Sequence, residues 1–418
     1  MSAEDLPAAG HQVIAAAEKY GVKHLFTLSG AHIFPLYDAC EKRPHAPALV
    51  DTRSEQTAGF AAEAAARLTR TPGFVAATAG PGVTNLLTPI TSAFFNGAPL
   101  VAIGGRSPDF RWGLGALQEL DQPPLFTSVT KSAVTAHDCE QVGTLTEAAF
   151  ATAMSPHQGP TFLDIPMDKL FTPAPVLTEP LASITKPQSD LTQLDLAIEM
   201  ISAAQRPVII AGGDIWQNRA ELEFRALVAQ IGIPVIVNGM ARGILNPANP
   251  LLVTPARSYA LKNADLVIVA GTPLDFRLGY GDFGGAHVIF ISDDPRTSPL
   301  AQAVRITGDL PDLMSTIATC LSKPVGTQSW KDDLAQRSST VRLSNSELMA
   351  TRQEMIHPAQ IYGELIPRLT ESTITIGDGG DFVSFAGKFI EPQQPGRWLD
   401  PGPFGALGTG MGYALGAG

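Results

Sequence analysis

Asp51-Thr52-Arg53-Ser54-Glu55-Gln56-Thr57-Ala58-Gly59-Phe60-Ala61-Ala62-Glu63 follows a short apolar run, Ala46 to Val50, and leads one βα unit later to Gly80-Pro81-Gly82-Val83-Thr84-Asn85. The run reads as a strand and the Ala-rich Gln56 to Leu68 as a helix. Glu55 thus stands at a strand's carboxyl end beside a helix N-terminus, where open α/β sheets put their ligands. An acid there also suits the helix dipole, so simple capping is the competing reading. Gly80-Pro81-Gly82 lets backbone approach a ligand or a neighbouring helix, since glycine carries no Cβ. It reads equally as an ordinary strand-to-helix turn with Asn85 in the first helical turn. It lacks the Gly-Lys-Ser/Thr ending of a phosphate loop.

Outward from this stretch, apolar runs alternate with helical patterns, which predicts parallel sheets of βαβ units. A helix is expected over Gly10 to Tyr20, with strands at His24–Leu28, Phe74–Ala79, Pro99–Ile103 and Thr161–Ile165. Thr172 to Gln188, with Pro173, Pro175, Pro180 and Pro187, reads as a linker. A second α/β unit opens with a helix, Leu191 to Ala204. Its strands are expected at Pro207–Ala211, Pro234–Val237, Asp265–Ala270 and His287–Ser292. The polar Ser322 to Gln353 reads as a helix and a second linker. A third unit opens at His357-Pro358, with a helix to Leu369, a strand at Thr373–Ile376 and a helix beginning near Met411.

Composition bounds the function. The chain has 418 residues, 44% of them hydrophobic and 17% charged, with a net charge of -11. Nucleic acid is a poor partner for such a chain, because phosphate binding needs a basic face. No apolar run reaches the ~18 residues of a membrane helix. Cys40, Cys139 and Cys320 are far apart and fit neither a disulfide framework nor a metal site. A cytoplasmic protein is the expectation.

The motifs, taken in order, resemble thiamine-diphosphate enzymes of the acetolactate synthase type. They are Arg53-Ser54-Glu55-Gln56, Gly80 to Asn85, Pro99 to Gly105, Gly115-Ala116-Leu117-Gln118-Glu119, Val129-Thr130-Lys131 and Gly159 to Asp168. The resemblance runs from about residue 8 to the last residue. It implies an α/β architecture of successive Rossmann-like parallel-sheet domains, the thiamine-diphosphate-binding fold, with the third domain truncated. The expected domains are 1–172 (pyrimidine-binding), 190–322 (central, nucleotide-binding-like) and 355–418 (an incomplete diphosphate-binding domain). The implied activity is decarboxylation of a 2-keto acid followed by carboligation, as from pyruvate to 2-acetolactate in branched-chain amino-acid biosynthesis. A 2-hydroxyacyl-CoA lyase or oxalyl-CoA decarboxylase is the alternative, and a non-catalytic truncated chain a third. A homodimer or homotetramer is implied, with the cofactor between domains of two chains.

Residue roles follow from the resemblance. Glu55 would hydrogen-bond the aminopyrimidine ring nitrogen of thiamine diphosphate in apolar surroundings, and Gly80, Pro81, Gly82 and Asn85 would face that ring. Gln118 and Lys131 would lie on the substrate side, with His32 and Phe110 in the pocket wall. In Gly402 to Gly408, Gly405 and Gly408 would contact the aminopyrimidine, and Leu407 would hold the cofactor bent. Gly212, Gly213, Arg257 and Asp293 would serve a nucleotide in the central domain, with FAD, ADP or nothing as the alternatives. The family's flavin-facing histidine segment is not matched at Asn238 to Gly243 or Thr254 to Ser258. Mg2+ ligands are expected beyond Gly418, none in this chain. On this reading the chain alone binds thiamine diphosphate weakly or not at all. Its last ~60 residues are expected to be poorly ordered for want of a partner for their apolar face.

Overall fold

A computed structural model describes residues 6–176, 184, 186–294 and 303–418. They fall into two compact units, 1–185 with 404–418, and 186–403.

The first unit is built on a six-stranded parallel sheet. Its strands are β1 (His24–Thr27), β2 (Ala48–Asp51), β3 (Gly73–Ala77), β4 (Leu100–Arg106), β5 (Ala133–Thr135) and β6 (Thr161–Pro166), in the order β2-β1-β3-β4-β6-β5. Strands β3, β4 and β6 are buried along their whole length, as expected of a parallel sheet covered on both faces. The covering helices are α1 (Gly10–Lys19), α2 (Phe34–Lys42), α3 (Glu55–Thr69), α4 (Pro81–Asn85), α5 (Leu87–Phe95), α6 (Val142–Met154) and α7 (Met167–Phe171). Alanines let α3 lie close on the sheet. A methyl built on Gly73 would come within 2.1 Å of Ala62 O, so β3 can begin there only with glycine. Helix α3 ends at Arg70, whose φ of 59° turns the chain left-handed.

The second unit holds a five-stranded parallel sheet of β7 (Pro207–Ala211), β8 (Val235–Val237), β9 (Leu266–Ala270), β10 (His287–Ser292) and β11 (Val304–Thr307). Its order is β11-β10-β9-β7-β8. In sequence terms this is 2-1-3-4-5, a doubly wound arrangement whose direction of winding reverses between β7 and β9. The helices are α8 (Leu194–Ala203), α9 (Gly213–Gln217), α10 (Glu221–Ile231), α11 (Arg257–Asn263), α12 (Leu310–Cys320), α13 (Gln328–Ala350), α14 (Pro358–Leu365) and α15 (Asp381–Phe389). A two-stranded parallel pair, β12 (Thr375–Ile376) and β13 (Trp398–Leu399), belongs to the same unit. Among the described residues no helix is long and apolar enough to cross a membrane.

Three expectations change. The short edge strands β5 and β11 escape a search for apolar runs. The Pro-rich linker is pinned at its start, where Ala9 N–H donates to Thr172 O and Ala174 N–H to Pro7 O. Pro180, in the same stretch, lies outside the described residues.

The expected third unit is divided: 355–403 clusters with the second unit and 404–418 with the first. Helix α16 (Thr409–Ala417) packs on α3, with Gly412 against Phe60 and Gly416 against the Ala61 backbone. Tyr413 is buried there, and its hydroxyl donates to Glu63 Oε1 at 2.9 Å. Trp398 is buried beneath the Arg242 guanidinium, 4.5 Å from the ring centre. Trp398 and Tyr413 therefore have partners that the expectation did not foresee, while Phe382, Leu407 and Met411 stay exposed.

Candidate active site

The carboxyl edge of the first sheet gathers the predicted residues. Thr52 caps the end of β2 by donating from Oγ1 to Thr27 O and Ser54 O. Ser54 is extended, and the chain enters α3 at Glu55. Glu55 is buried, and its carboxylate reaches across to the next βα unit, where Asn85 Nδ2 donates to Oε2 at 3.0 Å. A methyl built on Gly82 would lie 3.2 Å from Oε1 and 3.0 Å from Thr78 Cγ2. Glycine at 82 thus lets the turn lie close against Oε1. One carboxylate oxygen is fixed by Asn85 and the other faces a turn that carries no Cβ, which capping alone would not require.

Gly80 has φ 62° and ψ −111°, a conformation that side chains strongly disfavour. Its Cα faces Gln118: a methyl there would meet Gln118 Cβ at 2.9 Å. Gln118 is itself left-handed, at φ 60°. The structure therefore brings Glu55, Gly80, Pro81, Gly82, Asn85 and Gln118 to one place. His32 lies at the same edge, where the winding of this sheet reverses between β1 and β3. Its Nδ1 is 2.9 Å from Thr78 Oγ1, and burial pushes the imidazole below its ordinary range, so it is neutral near neutral pH.

Other expected residues fall elsewhere. Lys131 precedes β5 and so sits at the opposite, amino end of the sheet. Its ammonium donates to Ser155 O, Ser155 Oγ and His157 O at 2.6–2.8 Å. It ties a turn together and is not part of this cluster. Phe110 is 68% exposed, with the Arg111 guanidinium over its ring. Gly405 and Gly408 have φ of 68° and 79°, and Leu407 is 68% exposed. This turn joins the first unit through α16 and through Phe404, whose ring stacks on Phe95 at 5.5 Å, rather than through the Leu407 side chain.

In the second unit Gly212 follows β7 and Gly213 opens α9. A methyl on Gly212 would meet Gly271 O and Thr272 Cβ at 2.2 Å, so the loops after β7 and β9 touch through backbone. Asp293, after β10, is buried and accepts from Asn218 Nδ2 at 3.0 Å. Arg257 donates to Arg277 O, and Arg277 pairs with Asp275 at 2.6 Å. Arg257 thereby serves the loop after β9.

Sequence reasoning missed a buried group behind the glycine turn. Gln122 Oε1 accepts from Gly80 N–H at 2.8 Å, and its Nε2 donates to Gly105 O at 2.9 Å and Asp164 Oδ1 at 2.7 Å. Arg106 Nη1 donates to Asp164 Oδ2 at 2.7 Å. Burial pushes the Asp164 carboxyl up to about 6, against the pull of Arg106, Gln122 and Thr135. The signal was available: an aspartate amid Phe162, Leu163 and Ile165 on a buried strand requires a partner.

An α/β protein that presents one buried carboxylate and a glycine turn at a sheet's carboxyl edge is the class so defined. Residues 8–125 match the N-terminal TPP binding domain of thiamine pyrophosphate enzymes, and 194–317 match their central domain. A "Probable acetolactate synthase" of Mycobacterium bovis is 41% identical over 432 residues, covering 100% of this chain and 78% of the relative. The "Acetolactate synthase large subunit IlvG" of Mycobacterium tuberculosis matches to the same extent. The human "2-hydroxyacyl-CoA lyase 2" is 33% identical over 455 residues, covering 98% of this chain and 72% of the relative. The chain belongs to the thiamine-pyrophosphate-dependent enzyme family.

Proposed function

We propose that the protein is a thiamine-diphosphate-dependent decarboxylase and carboligase of 2-keto acids, acting on pyruvate as acetolactate synthases do. The observation that carries this reading is the Glu55 carboxylate, with Oε2 held by Asn85 and Oε1 beside Gly82. That arrangement fits an aminopyrimidine, whose ring nitrogen needs one oriented carboxyl partner and whose flat ring needs a wall without Cβ atoms. Thiamine diphosphate, when bound, supplies the nucleophilic carbon and the electron sink. Glu55 would hydrogen-bond the ring nitrogen through Oε1, and Asn85 prevents the carboxyl group from turning away. Gly80 and Gly82 let backbone lie against the ring. Gln118 offers an amide toward the keto oxygen or carboxylate of a substrate. His32, neutral and fixed by Thr78, walls the site without adding charge.

Gly405, Leu407 and Gly408 belong in this proposal to the aminopyrimidine contact of a second chain, which makes the enzyme a homodimer or a dimer of dimers. The exposure of Leu407 supports that assignment. Mg2+, when bound, would offset the charge of the diphosphate, and it is assigned no ligand among the residues here. Gly212, Gly213 and Asp293 suit the diphosphate and ribose of FAD or ADP, at a sheet edge where doubly wound folds bind nucleotides. The absence of a disulfide among Cys40, Cys139 and Cys320 suits a cytoplasmic enzyme.

The 33% identity to the human lyase over nearly the whole chain supports a second reading, cleavage of a 2-hydroxyacyl-CoA. A substrate panel with thiamine diphosphate and Mg2+ separates the two. Acetolactate formed from pyruvate supports the first reading; formyl-CoA with an aldehyde from a 2-hydroxyacyl-CoA supports the second. Turnover of neither overturns both.

A further inference from the structure

The loop from Ser107 to Gln122 is held to the sheet by one buried ion pair. Arg106 ends β4, and Asp164 lies opposite Gly104 on β6. Arg106 and Asp164 are nearly inaccessible to solvent, and Gln122 is fully so. The Arg106 guanidinium carries the start of the loop, with the Trp112 ring 3.6 Å from it, and touches the loop's end at Asp121 Oδ1, 3.4 Å away. Asp164 orients the Gln122 amide, and both ends of that amide are used: nitrogen on Asp164 and Gly105, oxygen on Gly80. Gln118, four residues before Gln122, packs on the other side of Gly80. The loop also braces itself, Ser107 Oγ donating to Leu117 O, and the Gly113 and Ala116 N–H groups to Glu119 Oε2.

We propose that Arg106, Asp164 and Gln122 are positioning residues: a pedestal that fixes Gly80 between two glutamines and so sets both the glycine turn and Gln118 relative to Glu55. None of the three touches the ligand; they act through the Gly80 peptide and the loop. The proposal rests on the reading of Glu55 as the cofactor contact. Its physical ground is that a glycine in a left-handed turn is held only by what bonds its peptide. Gly80 N–H has one acceptor, on a side chain oriented by a buried charge.

The test uses the full chain and two readouts. Gln122→Met keeps the volume and removes all three hydrogen bonds. Deuterium exchange followed by mass spectrometry reports the peptide around Gly80, and calorimetric titration with thiamine diphosphate and Mg2+ reports affinity. Gln122→Met should speed exchange at Gly80 at least ten-fold and weaken the cofactor at least ten-fold. Gln122→Glu alone should do the same, because it sets a second carboxylate against Asp164. Gln122→Glu combined with Asp164→Asn exchanges amide and carboxylate: it restores the bond between 122 and 164 and keeps an acceptor for Gly80 N–H but leaves Gly105 O without its donor, so it should recover part of both losses; a general structural role predicts that the double variant is the worst. Lys131→Met, at the far edge, controls for loss of stability and should leave exchange at Gly80 unchanged. Unchanged exchange in Gln122→Met, or a double variant worse than either single, overturns the proposal. Should the unaltered chain fail to bind the cofactor, the exchange data alone decide whether the pedestal holds Gly80, and the Glu55 reading is tested separately by Glu55→Gln.

Discussion

The two large sheets share a winding order at their first strands, yet their carboxyl edges carry different chemistry. In the first, side chains occupy the point of reversal: His32 bonded to Thr78, with Gly30 so close that a methyl there would sit 2.3 Å from Thr78 Cβ. Glu55, after β2, and Gly82, after β3, approach each other across the end of β1. In the second, the reversal is closed by backbone, Gly212 against Gly271 and Thr272, with two buried acids, Asp293 and Asp294, beyond. Topology therefore specifies where a ligand can sit, and a few residues after each strand specify what kind. One edge offers a carboxyl group and an amide, and the other offers backbone and a pair of adjacent acids.

The comparison breaks most completely at Glu55. Glu55→Gln in the first edge should slow exchange of the thiazolium C2 proton of added thiamine diphosphate by about 10²–10⁴-fold. Its melting temperature should stay near that of the unaltered chain. NMR of the cofactor proton is the measurement, and undiminished exchange would remove the distinction between the edges.

A second effect tests what holds α3, the helix that begins at Glu55. Glu63 is fully buried and accepts from Tyr413, Asn96 and, at 3.5 Å, Arg67. Burial raises its carboxyl above the ordinary range despite those partners. The folded state thus holds this proton more tightly than the unfolded chain. The resulting stability is present below the ordinary glutamate range and is lost as pH rises through the folded value. Thermal melts from acid to neutral pH should show a decline that Glu63→Gln flattens. Tyr413→Phe, which removes one donor from a buried acceptor, should cost about 1–3 kcal/mol.

The backbone-built edge is sharpened by neighbouring glycines. Gly212→Ala drives a methyl to 2.2 Å from a carbonyl oxygen, while Gly213→Ala meets nothing nearer than 3.6 Å. The first should destabilise by about 1–3 kcal/mol and the second by much less. Equal denaturation midpoints would show that the contact at Gly212 relaxes. The smallest effect on the site is expected from Lys131→Met. It should lower the melting temperature by removing three hydrogen bonds, yet leave cofactor affinity within about two-fold, as a residue at the other end of the sheet should.

Much of this was readable from the sequence. Glu55 follows a short apolar run and precedes an alanine helix, so its place at a strand end needed only local pattern. Gly80 and Gly82 announced a close approach by their type alone. What stayed hidden depends on distant partners. Lys131 meets Ser155 and His157, 24 and 26 residues on, and no local signal distinguishes that from a place near a substrate. Gln122 bonds Gly80 and Asp164, 42 residues to either side. Tyr413 finds Glu63 across 350 residues, which is why the last stretch read as unpartnered.

Helix α3 is gripped on two sides by backbone: Gly73 approaches Ala62 O, and Gly416 approaches Ala61 O, with room for a Cβ at neither. Gly412 meets Phe60 Cβ one turn earlier. In a library of random variants selected for function, positions 73, 412 and 416 should therefore return glycine almost alone, although none of them lies beside Glu55. Their depletion pattern would trace a clamp on the rod that carries the carboxylate, and would mark how far from a reacting group selection can still measure fractions of an ångström.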